Sequence, residues 1–105
     1  MDAFHALSDP NRRRIVDLLL QGEKTSGEIV QAFEISAPAV SQHLKTLKNA
    51  KIVHVRPEGQ KRIYHLNPDG FADMQAWLSR VSVYWNARLD DLEAALAKNT
   101  QGDQS

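Results

Sequence analysis

The stretch from Ile35 to Leu47 admits few structures. Val40, Leu44 and Leu47 recur at helical spacing and leave one narrow apolar stripe. Ser36 and Pro38 mark a helix start, because a serine cap satisfies an amide donor that lacks a helical partner and an early proline removes another. The opposite face holds Pro38, Gln42, Lys45 and Asn49, flanked by Ala39, Ser41 and Thr46. A helix anchored by so few apolar residues, slim at its N-terminal end and polar outside, is suited to the major groove of DNA.

The individual side chains extend that expectation. Gln42 matches the N6/N7 edge of adenine in a bidentate way, and Ser41 serves donor or acceptor edges. Ala37 and Ala39 let the backbone approach closely and offer methyls to thymine. Ser36 stands at the helix N-terminus, whose free amides and positive dipole end suit a phosphate. Lys45 and Lys48 add point charges. His43 falls between core and solvent, where it either donates to a base or phosphate or packs against the neighbouring helix. Each residue alone is an ordinary solvated side chain; the combination and its setting carry the signal.

The setting is a series of short elements. Met1 to Leu7 is compatible with a short amphipathic helix, with Met1, Phe4 and Leu7 on one side. Asp9-Pro10 starts a second helix that runs to about Gln21, burying Ile15, Leu18 and Leu19 before Gly22 ends it. Thr25-Ser26-Gly27-Glu28 has capping-box spacing and opens a third helix to about Phe33, with Ile29 and Val30 inward. Glu34-Ile35 is a turn, and the helix capped by Ser36 continues to about Ala50. Ile52 to Val55 and Ile63 to Leu66 alternate as strands around the turn Arg56 to Gln60, predicting a β-hairpin. Arg56, Gln60, Lys61 and Arg62 then lie at or near its tip, placed for a flanking minor groove or its phosphates.

After Asn67-Pro68-Asp69-Gly70, Phe71, Met74, Leu78, Val81, Trp85, Leu89, Leu92 and Leu96 recur at steps of three and four. They predict a helix over about 69–98, followed by a polar, disordered tail over 99–105. A helix of nearly thirty residues is too long to bury a whole face on so small a domain. The same helix of a second copy is the expected partner, giving a homodimer through the first and last helices. Met1, Phe4, Leu78, Val81, Trp85, Leu89 and Leu92 are its expected contacts. The architecture is mainly α with a small β-hairpin, an α+β winged helix-turn-helix domain over 1–98.

Charge supports double-stranded DNA as the partner despite a formal net charge of zero. From Ser36 to Leu66, Lys45, Lys48, Lys51, Arg56, Lys61 and Arg62 face one acid, Glu58. From Asp69 onward acids dominate. Phosphates feel local charge within a Debye length of roughly 8–10 Å, not the total. Arg12, Arg13 and Arg14 form a second basic cluster; they fan around a helix, so one is expected to pair with Asp9 or Asp17 and another to reach phosphate.

No apolar run approaches the roughly 20 residues of a membrane span, so no membrane partner is expected. Nor does the N-terminus carry a signal peptide's apolar core, and a cytoplasmic location is expected. The chain has no cysteine, hence no disulfide or thiolate metal site. His5, His43, His54 and His65 lack helical ligand spacing, so no metal and no cofactor are expected. No P-loop, dinucleotide fingerprint or nucleophile elbow is present, which argues against an enzyme.

Phe4 to Ile15, reading FHALSDPNRRRI, resembles the "ALSDPTRRRIL" opening of the ArsR/SmtB family of bacterial repressors. Ile35 to Leu47 is similar to that family's recognition helix, and Glu58 to Leu66 to its wing. The resemblance spans nearly the whole chain to about residue 98. It implies a homodimeric winged-helix transcriptional regulator, usually a repressor, on an operator with dyad symmetry. Metal sensors of the family often read "GELCVCDLA" at the third helix. Here the two cysteine positions fall on Thr25 and Gly27, and no histidine follows His65. The chain is similar to the branch without metal-binding cysteines, of the Bacillus autorepressor type, in which control comes from expression level, a protein partner or an unidentified effector. Two alternatives share the fold: a small-molecule-responsive regulator with a pocket near Trp77, Tyr84 and Trp85, and a protein-interaction module that does not bind DNA.

Overall fold

The computed structural model describes residues 2–103, with side chains as far as Lys98. Met1, expected at a dimer interface, lies outside the described residues, as does the end of the chain beyond Asp103. Two compact units divide after Ala72. The first contains α1 (Ala3–Ala6), α2 (Pro10–Leu20), β1 (Lys24–Thr25), α3 (Ser26–Gln31), α4 (Ala37–Asn49), β2 (Val53–Glu58) and β3 (Lys61–Leu66), then a 3-10 turn at Pro68–Phe71. The second is the body of one long helix, α5 (Ala72–Asp103).

Local chemistry sets the helix starts. The Asp9 carboxylate accepts from the Asn11 and Arg12 amides at 2.7 and 3.2 Å, and Pro10 follows in the first turn. Burial alone pushes Asp9 upward, but those two amides and the neighbouring His43 and Arg12 outweigh it and hold the carboxyl below its ordinary pKa. Thr25 and Glu28 form the complete reciprocal capping box of α3, at 2.9 and 3.1 Å. Ser36 Oγ accepts from the Ala39 amide at the start of α4.

The sheet is larger than a hairpin. Its order is β1-β3-β2, all antiparallel, with Lys24 opposite Tyr64 and Thr25 opposite Ile63. A two-residue strand has no sequence pattern of its own; it exists only because β3 offers a free edge. β2 and β3 also run further than expected, pairing from Val53–Leu66 out to Glu58–Lys61. Only Gly59 and Gln60 remain for the turn, and Gly59 takes φ +62°, the left-handed value glycine adopts without cost. Val53, Val55, Tyr64 and Leu66 share the face that packs toward α2, α3 and α4. Ile15, Leu19, Ile29, Val40, Leu44, Leu47, Ile52, Val53 and Tyr64 are buried as one core.

α1 turns its alanines to the core. Ala3 and Ala6 are inside, Leu7 is half-buried and Phe4 is exposed. Small residues turn inward because α1 is held by its backbone: Arg12 Nε donates to the Ala6 carbonyl, and Arg13 donates to the Leu7 carbonyl at 2.8 Å. The last helix begins at Ala72 rather than Asp69, since Pro68 to Phe71 wind as a 3-10 turn first. Its backbone continues to Asp103, so residues 99–103, expected as tail, are helical. Asn99, Thr100 and Gln101 contain no proline to stop it.

Helix α4 ends on a tight corner. Lys51 has φ +63°, its amide bonds Lys48 O at 2.9 Å, and the Ile52 amide bonds Leu47 O at 3.0 Å, a Schellman cap with lysine at the left-handed position. Buried Asn67 braces the corner: its side-chain amide donates to Lys51 O and its backbone amide to Ile52 O, both at 2.8 Å. Gly70 lies so close that a β-carbon there would sit 1.9 Å from the Lys51 carbonyl oxygen. Gly70→Ala should therefore destabilise the chain by about 2 kcal/mol or more. Urea unfolding measures this, and an unchanged midpoint would show that the Lys51 carbonyl withdraws at little cost.

Candidate nucleic-acid interface

On α4 the buried Val40, Leu44 and Leu47 lock one side to the core, and the remaining surface faces out. Ser36, Ala37, Ser41, Gln42, Lys45 and Lys48 are exposed, whereas Ala39 and His43 are half-buried. Pro38, Gln42, Lys45 and Asn49, the outward set of the helical wheel, are all exposed, and of the flanking residues Ser41 is exposed while Ala39 and Thr46 are half-buried. Ser36 has a structural task as well, because its hydroxyl oxygen accepts the Ala39 amide at 3.3 Å. α3 and α4 pack against each other, and the turn between them is Ala32 to Ser36.

The wing is basic, but its charges are not equally free. Gln60 sits in the turn and Lys61 and Arg62 follow on β3, all exposed. Arg56 stands further down β2, and its guanidinium grips Glu23 with both amino groups at 2.8 Å, with Glu58 at 3.5 Å. Above all, the Arg56 hydrogen bond holds Glu23 below its ordinary pKa, and the same contact raises Arg56. A depressed carboxylate keeps its stabilising contact above its unfolded pKa and loses it as pH falls through the folded one, so the clamp is closed at neutral pH. Sequence reasoning missed Glu23 because its partner lies 33 residues away. Only its place just before β1 and beside the hairpin makes it relevant.

The three consecutive arginines are occupied inside the fold. Arg12 binds α1 and approaches His43 Nδ1 at 3.3 Å. Arg13 holds the Leu7 carbonyl, and Arg14 lies over the Phe33 ring at 5.0 Å. Among the described residues none forms the expected side-chain ion pair with Asp9 or Asp17. Backbone carbonyls at the end of α1 and an aromatic face take the guanidinium groups instead. Arg14 and Phe33 also line an open cleft of about 280 Å³ with Asp17, Leu18, Gln21 and Ala32.

The third-helix metal position does not fit a soft ion. Thr25 spends its hydroxyl on the Glu28 amide, and Gly27 offers no side chain. Among the described residues no three His, Cys, Asp or Glu side chains group as metal ligands. None of the helices is long and apolar enough to cross a membrane, among the described residues.

On α5, Trp77, Leu78, Tyr84, Trp85, Leu89, Leu92 and Leu96 are exposed and Val81 is half-buried. Tyr84 meets Trp85 edge-on at 5.5 Å, and the Arg88 guanidinium lies over the Tyr84 ring at 4.9 Å.

Comparison with known proteins agrees with this geometry. Residues 9–55 match the family model for bacterial regulatory proteins of the arsR family. The HTH-type transcriptional regulator Rv2034 of Mycobacterium tuberculosis is 44% identical over 83% of this chain and 78% of its own length. The transcriptional repressor SdpR of Bacillus subtilis is 42% identical over 73% of this chain and 86% of its own. Among solved structures, the homodimeric winged helix-turn-helix DNA-binding domain Mb0332 of Mycobacterium bovis superposes with a TM-score of 0.61. It is 30% identical, covering 75% of this chain and 73% of that one. The chain belongs to the arsR family of bacterial regulatory proteins: it is a DNA-binding transcriptional regulator of winged-helix fold, not an enzyme.

Proposed function

We propose that this regulator is a repressor that binds a dyad-symmetric operator as a homodimer, with α4 in the major groove and the wing along a flanking minor groove. The exposed, small-to-polar face of α4 carries the proposal, because its capped N-terminus and Ser41, Gln42 and Lys45 stand clear of the core. Gln42 reads a base pair, Ala37 and Ala39 allow close approach, and Lys45, Gln60, Lys61 and Arg62 meet phosphates or the minor groove. The nature of SdpR as a repressor and of Mb0332 as a homodimer supports the same reading here. A cytoplasmic location accords with a DNA target.

The duplex upstream of its own gene is the first operator to test. Binding should fall steeply as salt rises, since several phosphates are neutralised. In the same assay Gln42→Ala should cost about 1–3 kcal/mol on that duplex and little on random sequence. A flat salt response would sink direct DNA binding, and equal loss on both duplexes would make Gln42 a positioning contact.

For the dimer, Phe4, Leu78, Val81, Trp85, Leu89 and Leu92 remain the proposed contacts, with the α5 stripe meeting its copy in a partner chain. Trp85→Glu should then yield monomers in sedimentation; an unchanged dimer places the contact elsewhere.

Glu23 offers a further lever. Glu23→Gln removes the carboxylate that neutralises Arg56, so the variant should bind DNA more tightly and steepen the log affinity against log salt slope by about one. An unaltered slope would show that Arg56 does not meet phosphate.

A further inference from the structure

Arg12 reaches two elements at once. Its Nε donates to the Ala6 carbonyl and Nη2 approaches the His5 carbonyl at 3.4 Å, so it closes the end of α1. Its Nη1 lies 3.3 Å from Nδ1 of His43 on α4. Arginine has five N–H donors and no acceptor. The contact is a hydrogen bond only if Nδ1 presents its lone pair, and a neutral imidazole with a free Nδ1 carries its proton on Nε2. Asp9, the cap of α2, spends its carboxylate on the Asn11 and Arg12 amides. Among the described residues it is Arg12 that meets the ring's Nδ1 and orients it.

We infer that Arg12 is a positioning residue that fixes His43 as the Nε2–H tautomer, so that the recognition helix offers DNA one imidazole donor and no imidazole acceptor. This rests on the reading of α4 as the base-reading helix. Its chemical consequence is a choice of target: Nε2–H suits a guanine N7 or O6, an adenine N7, a thymine O4 or a phosphate oxygen, and not the amino group of cytosine. The same guanidinium ties that choice to α1, because while Nη1 orients the ring, Nε and Nη2 hold the α1 carbonyls.

The ring state is measurable without DNA. Long-range proton–nitrogen correlation of the imidazoles in the full chain, at a pH of about 8 where an ordinary histidine is neutral, should show His43 as the Nε2–H form alone. Arg12→Met, which keeps the aliphatic stem and removes every donor, should show a mixture of tautomers. An Nδ1–H or mixed state in the unaltered chain overturns the inference, whether or not the protein binds its operator, and that measurement stands even if Arg12→Met fails to fold. On the operator-bearing duplex Arg12→Met should lose about tenfold in affinity relative to random duplex with its salt slope unchanged. A slope lower by about one would make Arg12 a phosphate contact, and an equal loss on both duplexes would make it a structural cap; either result overturns the proposal. Failure of every duplex to bind the unaltered chain would instead defeat the DNA reading while leaving the tautomer result to stand or fall by itself.

Discussion

The corner at Lys51 is the constraint on which the junction of α4 with the hairpin depends. A lysine is held at φ +63°, a conformation that costs a non-glycine residue roughly 1 kcal/mol. The cost is met by the surroundings. Two Schellman bonds finish α4, Asn67 binds the carbonyls of Lys51 and Ile52, and a glycine at 70 leaves room for the crossing. Ala50, Ile52 and Val53 are all buried on either side of it. The end of α4, the start of β2 and the end of β3 thus meet at one corner, the last of them through Asn67.

Around that corner, polar contacts divide between holding and reading. Arg12, Arg13 and Arg14 hold: they satisfy carbonyls at the end of α1 or lie on an aromatic ring. Arg56 holds as well, clamped by Glu23, although it belongs to the wing. Lys45, Lys61 and Arg62 are exposed and can serve phosphates. Charge counting from sequence treats all these cations alike; their partners separate them. An arginine whose donors are already directed at protein acceptors adds to the field but must break bonds before it adds a contact.

Features carried by neighbouring residues were legible in the chain itself. Asp9-Pro10, the Thr25–Glu28 box and Ser36 each act within three or four residues, and all three begin helices where their chemistry says they should. The inward trio Val40, Leu44 and Leu47 follows from helical period alone. What escaped is non-local. β1 is defined by Tyr64 and Ile63, forty residues away in round terms, and the Glu23–Arg56 and Arg12–His43 contacts have no sequence spacing to betray them. In α1 the residues against the core are the alanines Ala3 and Ala6, which an apolar period built on large side chains does not single out.

The braced corner also restricts how such a protein diversifies. With α4 and the hairpin joined at Lys51 between the buried Ala50 and Ile52, a change of one residue in length there would turn the hairpin's alternating faces over and misplace the lysine carbonyl under Gly70. The distance between α4 and the hairpin is therefore a constant of the scaffold. New surface chemistry is accessible through replacement of side chains on a rigid template, whereas a new spacing between the two elements is not.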